Sequence, residues 1–204
     1  MNIKALMMTC GLAVCLLAQP VVADPLEDGQ NAYDSKDYAT ALKLLRALSE
    51  QGDASAQHRL GLMYESGQGV PKDFTEARKW YRKAADQGVA LAQIKLGYMY
   101  QGGEGMPQDY AEGVKWYRKA ADQGVALAQI KLGYTYFEGK GVPEDYVQAH
   151  MWWNLAAAGY PPSETENRDK AARNRDNIAA RMTPEQIAEA QRLAQEWRAA
   201  HCKK

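Results

Sequence analysis

The sequence predicts an all-α fold, a solenoid of stacked helix-turn-helix repeats, and three observations predict it. A pattern of glycine and apolar residues recurs every 36 residues, starting at Gln57, Gln93 and Gln129. Within each unit, apolar residues return at the i, i+3, i+4 and i+7 spacing of one helical face. A turn rich in glycine and proline divides each unit into two helices. A fixed period of this size is typical of repeats in which each unit stacks on its neighbours.

The composition limits the classes of partner. The chain has 204 residues, and its 25 Lys and Arg balance its 25 Asp and Glu. There is no basic excess to neutralise a phosphate backbone, so we expect no nucleic-acid partner.

The N-terminal segment, residues 1–23, reads as a secretory signal peptide. Lys4 precedes an apolar run, Ala5–Leu17, and small or modest residues lead up to Ala23. This pattern is typical of a cleavable signal, and we expect cleavage after Ala23 and a periplasmic or secreted protein. An uncleaved anchor is the alternative, but the run is shorter than the about 20 residues that a spanning helix needs. A lipoprotein signal at Cys15 is a third reading. After cleavage we expect no membrane span.

The cysteines predict a fold without intramolecular disulfides. Cys10 and Cys15 lie inside the signal, which leaves Cys202 near the C-terminus. A single cysteine has no partner within its own chain. Cys202 either pairs with a second copy or is a terminal thiol without structural consequence.

Residues 24–53 resemble an incomplete first unit. Asp37, Tyr38, Ala41 and Gly52 match in type the residues that lie 36 positions later. The second helix of the unit is therefore present, whereas the first, near residues 26–33, is short and its loop lacks the glycines. A degenerate terminal repeat is typical of a capping unit.

Three full repeats follow, at 54–89, 90–125 and 126–160. In the first, Asp53 and Asp73 are placed to cap the first and second helix, and Gly88 ends the second. Gly61 lies inside the first helix, where glycine costs about 1 kcal/mol, so we expect close backbone approach by a neighbouring helix. Val89 and Val125 replace Asp53 in the later repeats, which should therefore lack that cap.

The repeats are so similar that their residues form ladders. Residues 79–98 and 115–134 are identical. We predict that the tryptophan ladder is part of the core. The ladders include Leu60, Leu96 and Leu132; Tyr64, Tyr100 and Tyr136; and Trp80, Trp116 and Trp152.

The pattern AxAQxxLGxxYxxGxGVPxDxxxAxxWYxKAAxQG resembles the Sel-1-like repeat family, a relative of the tetratricopeptide repeats. The resemblance covers the three repeats and the half unit before them. It implies a right-handed superhelix of helix pairs, and members typically serve as adaptors for protein complexes, many of them bacterial and periplasmic or secreted. The family consensus contains no catalytic residues.

Residues 161–204 predict two C-terminal capping helices. Trp152-Trp153-Asn154-Leu155 replaces the more polar sequence of the earlier repeats, so we expect the following chain to cover this face. One polar, Ala-rich helix should run from about 164 to 181. The second should begin at a capping box formed by Thr183 and Gln186.

The search for catalytic chemistry is negative. No HExxH, CxxC, GxSxG or SxxK motif occurs, so we predict no enzyme activity, no metal and no cofactor. Gly67-Gln68-Gly69 lacks the lysine and the preceding strand of a phosphate loop and reads as a turn. Cysteine-rich relatives with this repeat have been associated with β-lactam binding or hydrolysis, so an enzyme acting on β-lactams or peptidoglycan is the alternative. This chain lacks their disulfide in each repeat.

The remaining candidates for function lie on the first helix of each repeat. In related solenoids this helix lines the concave surface, where tyrosines flanked by one cation per unit would hold an extended peptide or helix. The plain alternatives are tyrosines that pack on the adjoining unit and cations on a solvated face. A secreted virulence factor that binds a host protein is a further possibility. The predicted partner-binding residues are Arg59, Leu62, Met63, Lys95, Tyr98, Met99, Lys131 and Tyr134.

Overall fold

A computed structural model of the chain describes residues 24–201. The expectations for the signal segment and for Cys202 lie outside these residues. Within them the chain forms ten helices and no strands. The helices are α1 Pro25–Asp34, α2 Tyr38–Glu50, α3 Ala54–Ser66, α4 Phe74–Asp86, α5 Ala90–Gly102, α6 Tyr110–Asp122, α7 Ala126–Glu138, α8 Tyr146–Gly159, α9 Thr165–Ala179 and α10 Pro184–His201.

The helices stack in chain order. Each helix from α1 to α9 packs mainly against the helices that precede and follow it, and α10 returns to pack against α8. We call α3, α5 and α7 the A helices and α4, α6 and α8 the B helices of the three repeats. Contacts limited to sequence neighbours define a solenoid, so the predicted fold class is confirmed.

The caps follow the prediction. The Asp53 carboxylate accepts a hydrogen bond of 2.7 Å from the backbone N–H of Ala56. Asp73 caps α4 in the same way, whereas Val89 makes no side-chain cap for α5. Val89 instead packs against the apolar cluster between the first and second repeats. Packing between units thus takes the place of a hydrogen bond worth about 1 kcal/mol.

The mid-helix glycines make room for an aromatic ring of the B helix, which the expectation did not include. In the second repeat the backbones also approach closely, because a Cβ on Gly113 of α6 would lie 3.0 Å from the Gly97 carbonyl oxygen. A Cβ on Gly97 would lie 2.4 Å from Cε1 of Tyr117, the B-helix residue of the same repeat. Gly61 faces Tyr81 and Gly133 faces Trp153 in the same way. The glycine therefore lets a large ring of the B helix lie directly on the A helix.

The C-terminal helices cover the third repeat, as predicted. Trp152 and Trp153 are fully or almost fully buried, and Trp197 of α10 packs edge-on against Trp152. Thr183 and Gln186 form the reciprocal hydrogen bonds of a capping box at the start of α10. These helices close the end of the core that an unpaired repeat would leave exposed.

One tryptophan differs from the prediction. Trp116 and Trp152 are buried, but Trp80 is half-buried and lines a cavity of about 410 Å³. Arg82 lies over the Trp116 ring at 4.8 Å, whereas the counterpart of Arg82 one repeat earlier, Arg46, donates to the Tyr64 hydroxyl. Arg118 lies over the Trp152 ring at 4.6 Å while donating to the Tyr136 hydroxyl, so the hydrogen bond of Arg46 does not explain the exposure of Trp80.

No helix within residues 24–201 combines the length and the apolar character that crossing a membrane requires.

Candidate binding surface on the A helices

The A helices present one shared face, which we call the A-face. On α5 it consists of Leu91, Lys95 and Tyr98, and on α7 of Leu127, Lys131 and Tyr134. The i, i+4, i+7 spacing places each set along one side of its helix. Four of these six side chains, the two lysines and the two tyrosines, were predicted from the sequence as binding residues.

A groove of about 700 Å³ runs across the A-face. All four of the lysines and tyrosines named above line it. The sequence prediction therefore identified residues that the fold brings together. The groove residues also include Glu65, Gln101, Gly102, Glu104, Tyr110, Thr135, Glu138 and Lys140.

One lysine of the groove is neutralised by the preceding repeat. Lys95 Nζ lies 2.7 Å from a carboxylate oxygen of Glu65, and both side chains are partly buried. The same carboxylate accepts a hydrogen bond of 2.5 Å from the Tyr81 hydroxyl. Burial and this carboxylate together raise the pKa of Tyr81, so the phenol keeps its proton and remains a donor. Glu65 thus accepts a hydrogen bond from Tyr81 and forms an ion pair with Lys95.

The second lysine is in a different situation. Gln101 stands where the first repeat has Glu65, and its side-chain oxygen accepts a hydrogen bond from Tyr117 at 3.1 Å. Without a carboxylate there, Lys131 lies over the Tyr98 ring with Nζ 4.5 Å from the ring centroid. Among the nine ion pairs found in residues 24–201, none includes Lys131. Lys131 is therefore a positive charge in the groove that is not matched by a carboxylate of the described chain.

The two tyrosines differ in accessibility. Tyr98 is 37% exposed although its ring packs edge-on against Tyr117 with centroids 5.8 Å apart. Tyr134 packs edge-on against Trp153, and its hydroxyl accepts a hydrogen bond from Asn174 of α9. The C-terminal cap thus partly covers Tyr134, and Tyr98 is the more available of the two.

The other predicted residues lie elsewhere. Met63 and Met99 are fully buried, so their placement on an accessible face is wrong. Each is enclosed because an A helix packs against its own B helix and also against the adjoining repeats. Arg59 and Leu62 are partly buried and do not line the groove. Leu62 packs instead against the cluster between the first and second repeats.

Sequence reasoning missed Leu91 and Leu127. They are 54% and 37% exposed, and with Tyr98 they are the large hydrophobic side chains that residues 24–201 expose. Each leucine lies four residues before a predicted lysine and seven before a predicted tyrosine. This spacing places the three side chains on one helical face and could have identified the leucines. The groove carboxylates of Glu65, Glu104 and Glu138 were missed as well, because they lie at the ends of helices or in turns.

A histidine lies close to the paired end of the groove. His58 is partly buried on α3 and packs against the Tyr81 ring with centroids 5.8 Å apart. Burial, followed by the charges of Arg59 and Lys95, lowers the pKa of His58 to about 4, and Glu65 opposes the shift. His58 is therefore neutral at physiological pH.

The described residues offer no arrangement for metal-dependent chemistry. Within residues 24–201 no three side chains of the His, Cys, Asp or Glu type come together in a way that could hold an ion.

Comparison with known proteins agrees with the architecture. The family model described as Sel1 repeat matches residues 23–53, 54–89, 90–125 and 126–160. No curated protein sequence gives a significant match.

The solved structures that are similar to this chain include two that share more than a quarter of its sequence. A Sel1 repeat protein from Oxalobacter formigenes is 38% identical, with a TM-score of 0.65 over 73% of this chain and 57% of the other. The c5321 protein, a protective antigen present in uropathogenic Escherichia coli strains and displaying an SLR fold, is 27% identical, with a TM-score of 0.59. That similarity covers 87% of this chain and 45% of c5321. This chain thus spans about half the length of either relative.

Proteins built from Sel1 repeats generally mediate protein–protein interactions, and such solenoids are typically not enzymes. The four matched repeats span well over half of the sequence, and the ten helices stack as that repeat requires. The chain belongs to the Sel1 repeat family.

Proposed function

We propose that this protein is a non-catalytic adaptor of the bacterial envelope, periplasmic or secreted, that binds a protein partner on the A-face. This is the surface that lines the concave side in related solenoids. One observation carries the proposal: Leu91, Tyr98 and Leu127, the large hydrophobic side chains exposed by the described residues, all lie on the A-face. Exposed apolar residues that share one surface are typical of interaction sites.

The mixture of side chains on the A-face fits a protein partner. Tyrosine supplies a large contact area with few rotatable bonds, and leucines beside it add apolar area that a partner can remove from water. Apolar anchors surrounded by charged groups are the usual composition of a protein interface. The Lys95–Glu65 and Lys140–Glu138 pairs lie in the groove wall and supply such a polar rim.

Lys131 indicates the chemistry of the bound segment. The other two groove lysines are paired with glutamates, so Lys131 is the cation available to a partner. A carboxylate of the partner placed at Lys131 would form a charge-assisted hydrogen bond beside the Tyr98 ring. We therefore expect an extended segment or a helix that brings one acidic side chain to Lys131 and apolar side chains to the leucines.

The envelope location rests on the N-terminal segment, which has the pattern of a signal peptide. Absence of catalysis rests on the missing catalytic motifs and on the character of the family. Labelling the purified protein with a fluorescent penicillin tests this second point. Covalent labelling or hydrolysis would replace the adaptor proposal with the enzyme alternative.

A crosslinking capture experiment tests the proposed surface. The tagged full-length chain is crosslinked in native cells, and captured proteins are identified from the envelope fraction and the medium. The test variant carries Leu91→Ser and Leu127→Ser, which copy Ser55 of the first repeat. The matched control carries Lys79→Ser and Lys115→Ser on exposed faces of the B helices. We expect the test variant to lose its partner and the control to keep it. Equal capture by both folded variants would refute binding at the A-face.

A further inference from the structure

Two glutamine side chains link consecutive repeats in the same way. The side-chain amide of Gln87 donates to Oε1 of Gln57 at 2.8 Å and to the carbonyl oxygen of Gly52 at 3.0 Å. One repeat later, Gln123 donates to Gln93 at 2.9 Å and to Gly88 at 3.0 Å. In both cases one primary carboxamide satisfies two acceptors, a glutamine side chain of its own repeat and a glycine carbonyl of the preceding one.

The third repeat lacks the glutamine carboxamide at the equivalent position. The residue 36 positions after Gln123 is Gly159, which has no side chain. Gln129, the counterpart of Gln57 and Gln93, is 2% exposed, and its Oε1 has no hydrogen-bond partner among residues 24–201. A Cβ built on Gly159 would lie 3.7 Å from this oxygen and 3.9 Å from the carbonyl oxygen of Gly124. These two oxygens correspond to the pair of acceptors that Gln87 and Gln123 engage.

A cavity of about 700 Å³ lies at the same place, between the end of α8 and the end of α10. Gln129, Gly124 and Gly159 line one side of it, and Trp197, Arg198 and His201 line the other. A buried polar atom without a partner is unfavourable, so a group that supplies the missing donor gains binding free energy.

We propose that this cavity is a binding site for a primary carboxamide, supplied by a glutamine side chain of a protein partner. The proposal is independent of the A-face, because none of the cavity residues lines the groove. The amide N–H groups would donate to Gln129 Oε1 and to Gly124, in the arrangement that the chain itself shows twice. The Arg198 guanidinium in the opposite wall can donate to the carbonyl oxygen of the same amide.

The chemistry of the wall selects the carboxamide over related groups. A carboxylate offers no N–H to the two acceptors. An ammonium group would lose its hydration to reach two neutral oxygens, and the cavity wall carries both a positive charge, Arg198, and a negative one, Asp122. A carboxamide carries both donors and an acceptor without a charge, and it matches both walls.

Titration of the isotope-labelled full chain, followed by NMR, tests the site. The probe is N-acetyl-glutamine N-methylamide, and the matched control is N-acetyl-glutamate N-methylamide. We expect saturable shifts of the Gln129 side-chain amide and the Gly159 backbone amide with the glutamine probe, in the millimolar range usual for so small a ligand. The glutamate analogue should leave both signals unmoved.

A variant whose own side chain fills the site provides the second part of the test. Gly159→Gln places an internal carboxamide at the equivalent position of the third repeat and should abolish the response to the probe. The proposal is overturned if the wild-type chain shows no saturable shift, if the glutamate analogue acts equally, or if folded Gly159→Gln still responds. The first two comparisons use the unaltered chain and do not depend on the folding of a variant.

Discussion

Lys131 lies over the ring of Tyr98 with Nζ 4.5 Å from its centroid, whereas its counterpart Lys95 is paired with a carboxylate at 2.7 Å. The segments that carry these lysines are identical in sequence. The difference arises outside those segments, because Glu65 of the first repeat is replaced by Gln101 in the second. Two differences in the preceding repeat, Gln101 for Glu65 and Tyr98 for Leu62, thus separate a neutralised lysine from one available to a partner.

Gln101→Glu should neutralise Lys131 by copying the first repeat into the second. The new carboxylate would accept from Tyr117 as Glu65 accepts from Tyr81 and would pair with Lys131. We expect the affinity for an acidic partner to fall by about tenfold, the effect of roughly 1.4 kcal/mol, with little change in stability. Binding of the captured partner is measured by calorimetry. Glu65→Gln, which frees Lys95, is the matched control and should not weaken binding. Unchanged affinity in Gln101→Glu would mean that Lys131 contacts no acidic group.

Gly159→Gln should stabilise the protein by about 1–2 kcal/mol. The side chain would satisfy the buried Gln129 oxygen and would also replace the glycine that ends α8. The backbone of Gly159 accepts a side chain, because a Cβ there makes ordinary van der Waals contacts of 3.6 Å or more. Urea denaturation measures the change. Gly159→Ala isolates the gain in helix propensity, so equal stability of the two variants would show that the amide makes no bond.

Gly97→Ala should destabilise the protein by about 2 kcal/mol or more, although alanine is the better helix former. The added methyl would lie 2.4 Å from the Tyr117 ring, which is fully buried and has no space to retreat. Gly102→Ala is the matched control on the same helix, because its Cβ would meet only the Glu104 side chain at 3.4 Å. Thermal unfolding compares the two variants. If Gly97→Ala proved as stable as Gly102→Ala, the ring would not occupy the space that glycine leaves.

Stability should decrease as the pH falls from about 6.5 toward 4, in part because of His58. Its pKa is about 4 in the folded protein and 6.5 at its ordinary value, so in this range the unfolded chain binds more protons. Protonation therefore favours unfolding below pH 6.5 or so. Burial lowers the pKa of His150 as well, so its effect has the same sign.

His58→Ile tests this assignment, because isoleucine stands at the equivalent positions 94 and 130. We expect the variant to lose about 1 kcal/mol less stability than the wild type between about pH 7.5 and pH 5, after allowance for solvent screening. Urea midpoints at both pH values provide the measurement. Parallel losses in both proteins would contradict the lowered pKa.

The fold could be predicted from the sequence because the same local signals for a helix pair occur in all three repeats. Asp53 and Asp73 at helix starts, glycines in turns and apolar residues at helical spacing all indicate the same helix pair. The role of Gly97 was less accessible, because the recurring glycine shows that something approaches the helix but not that it is the ring of Tyr117. Trp80 could not be distinguished from its counterparts, because all three tryptophans occupy the same position in their repeats.

The binding surface was predicted only in part for a related reason. An A helix packs against its own B helix and against the second helix of the preceding unit, so more of its circumference is buried than a single apolar stripe indicates. Met63 and Met99 lie in that additional buried sector. Leu91 and Leu127 share the helical face of the predicted lysines and tyrosines, as their spacing shows. They were overlooked because leucine is usually buried, and spacing alone does not predict that a leucine is exposed.

Site-specific photocrosslinking shows which face of the protein a partner contacts. A benzoylphenylalanine is placed in turn at positions 98 and 127 on the A-face and at positions 79 and 115 on the B helices, in the full-length chain in native cells. If the A-face binds the partner, a single protein is crosslinked from positions 98 and 127, and positions 79 and 115 give no adduct with it. Adducts of that partner from the B-helix positions alone, or in equal yield from both sets, would refute binding at the A-face.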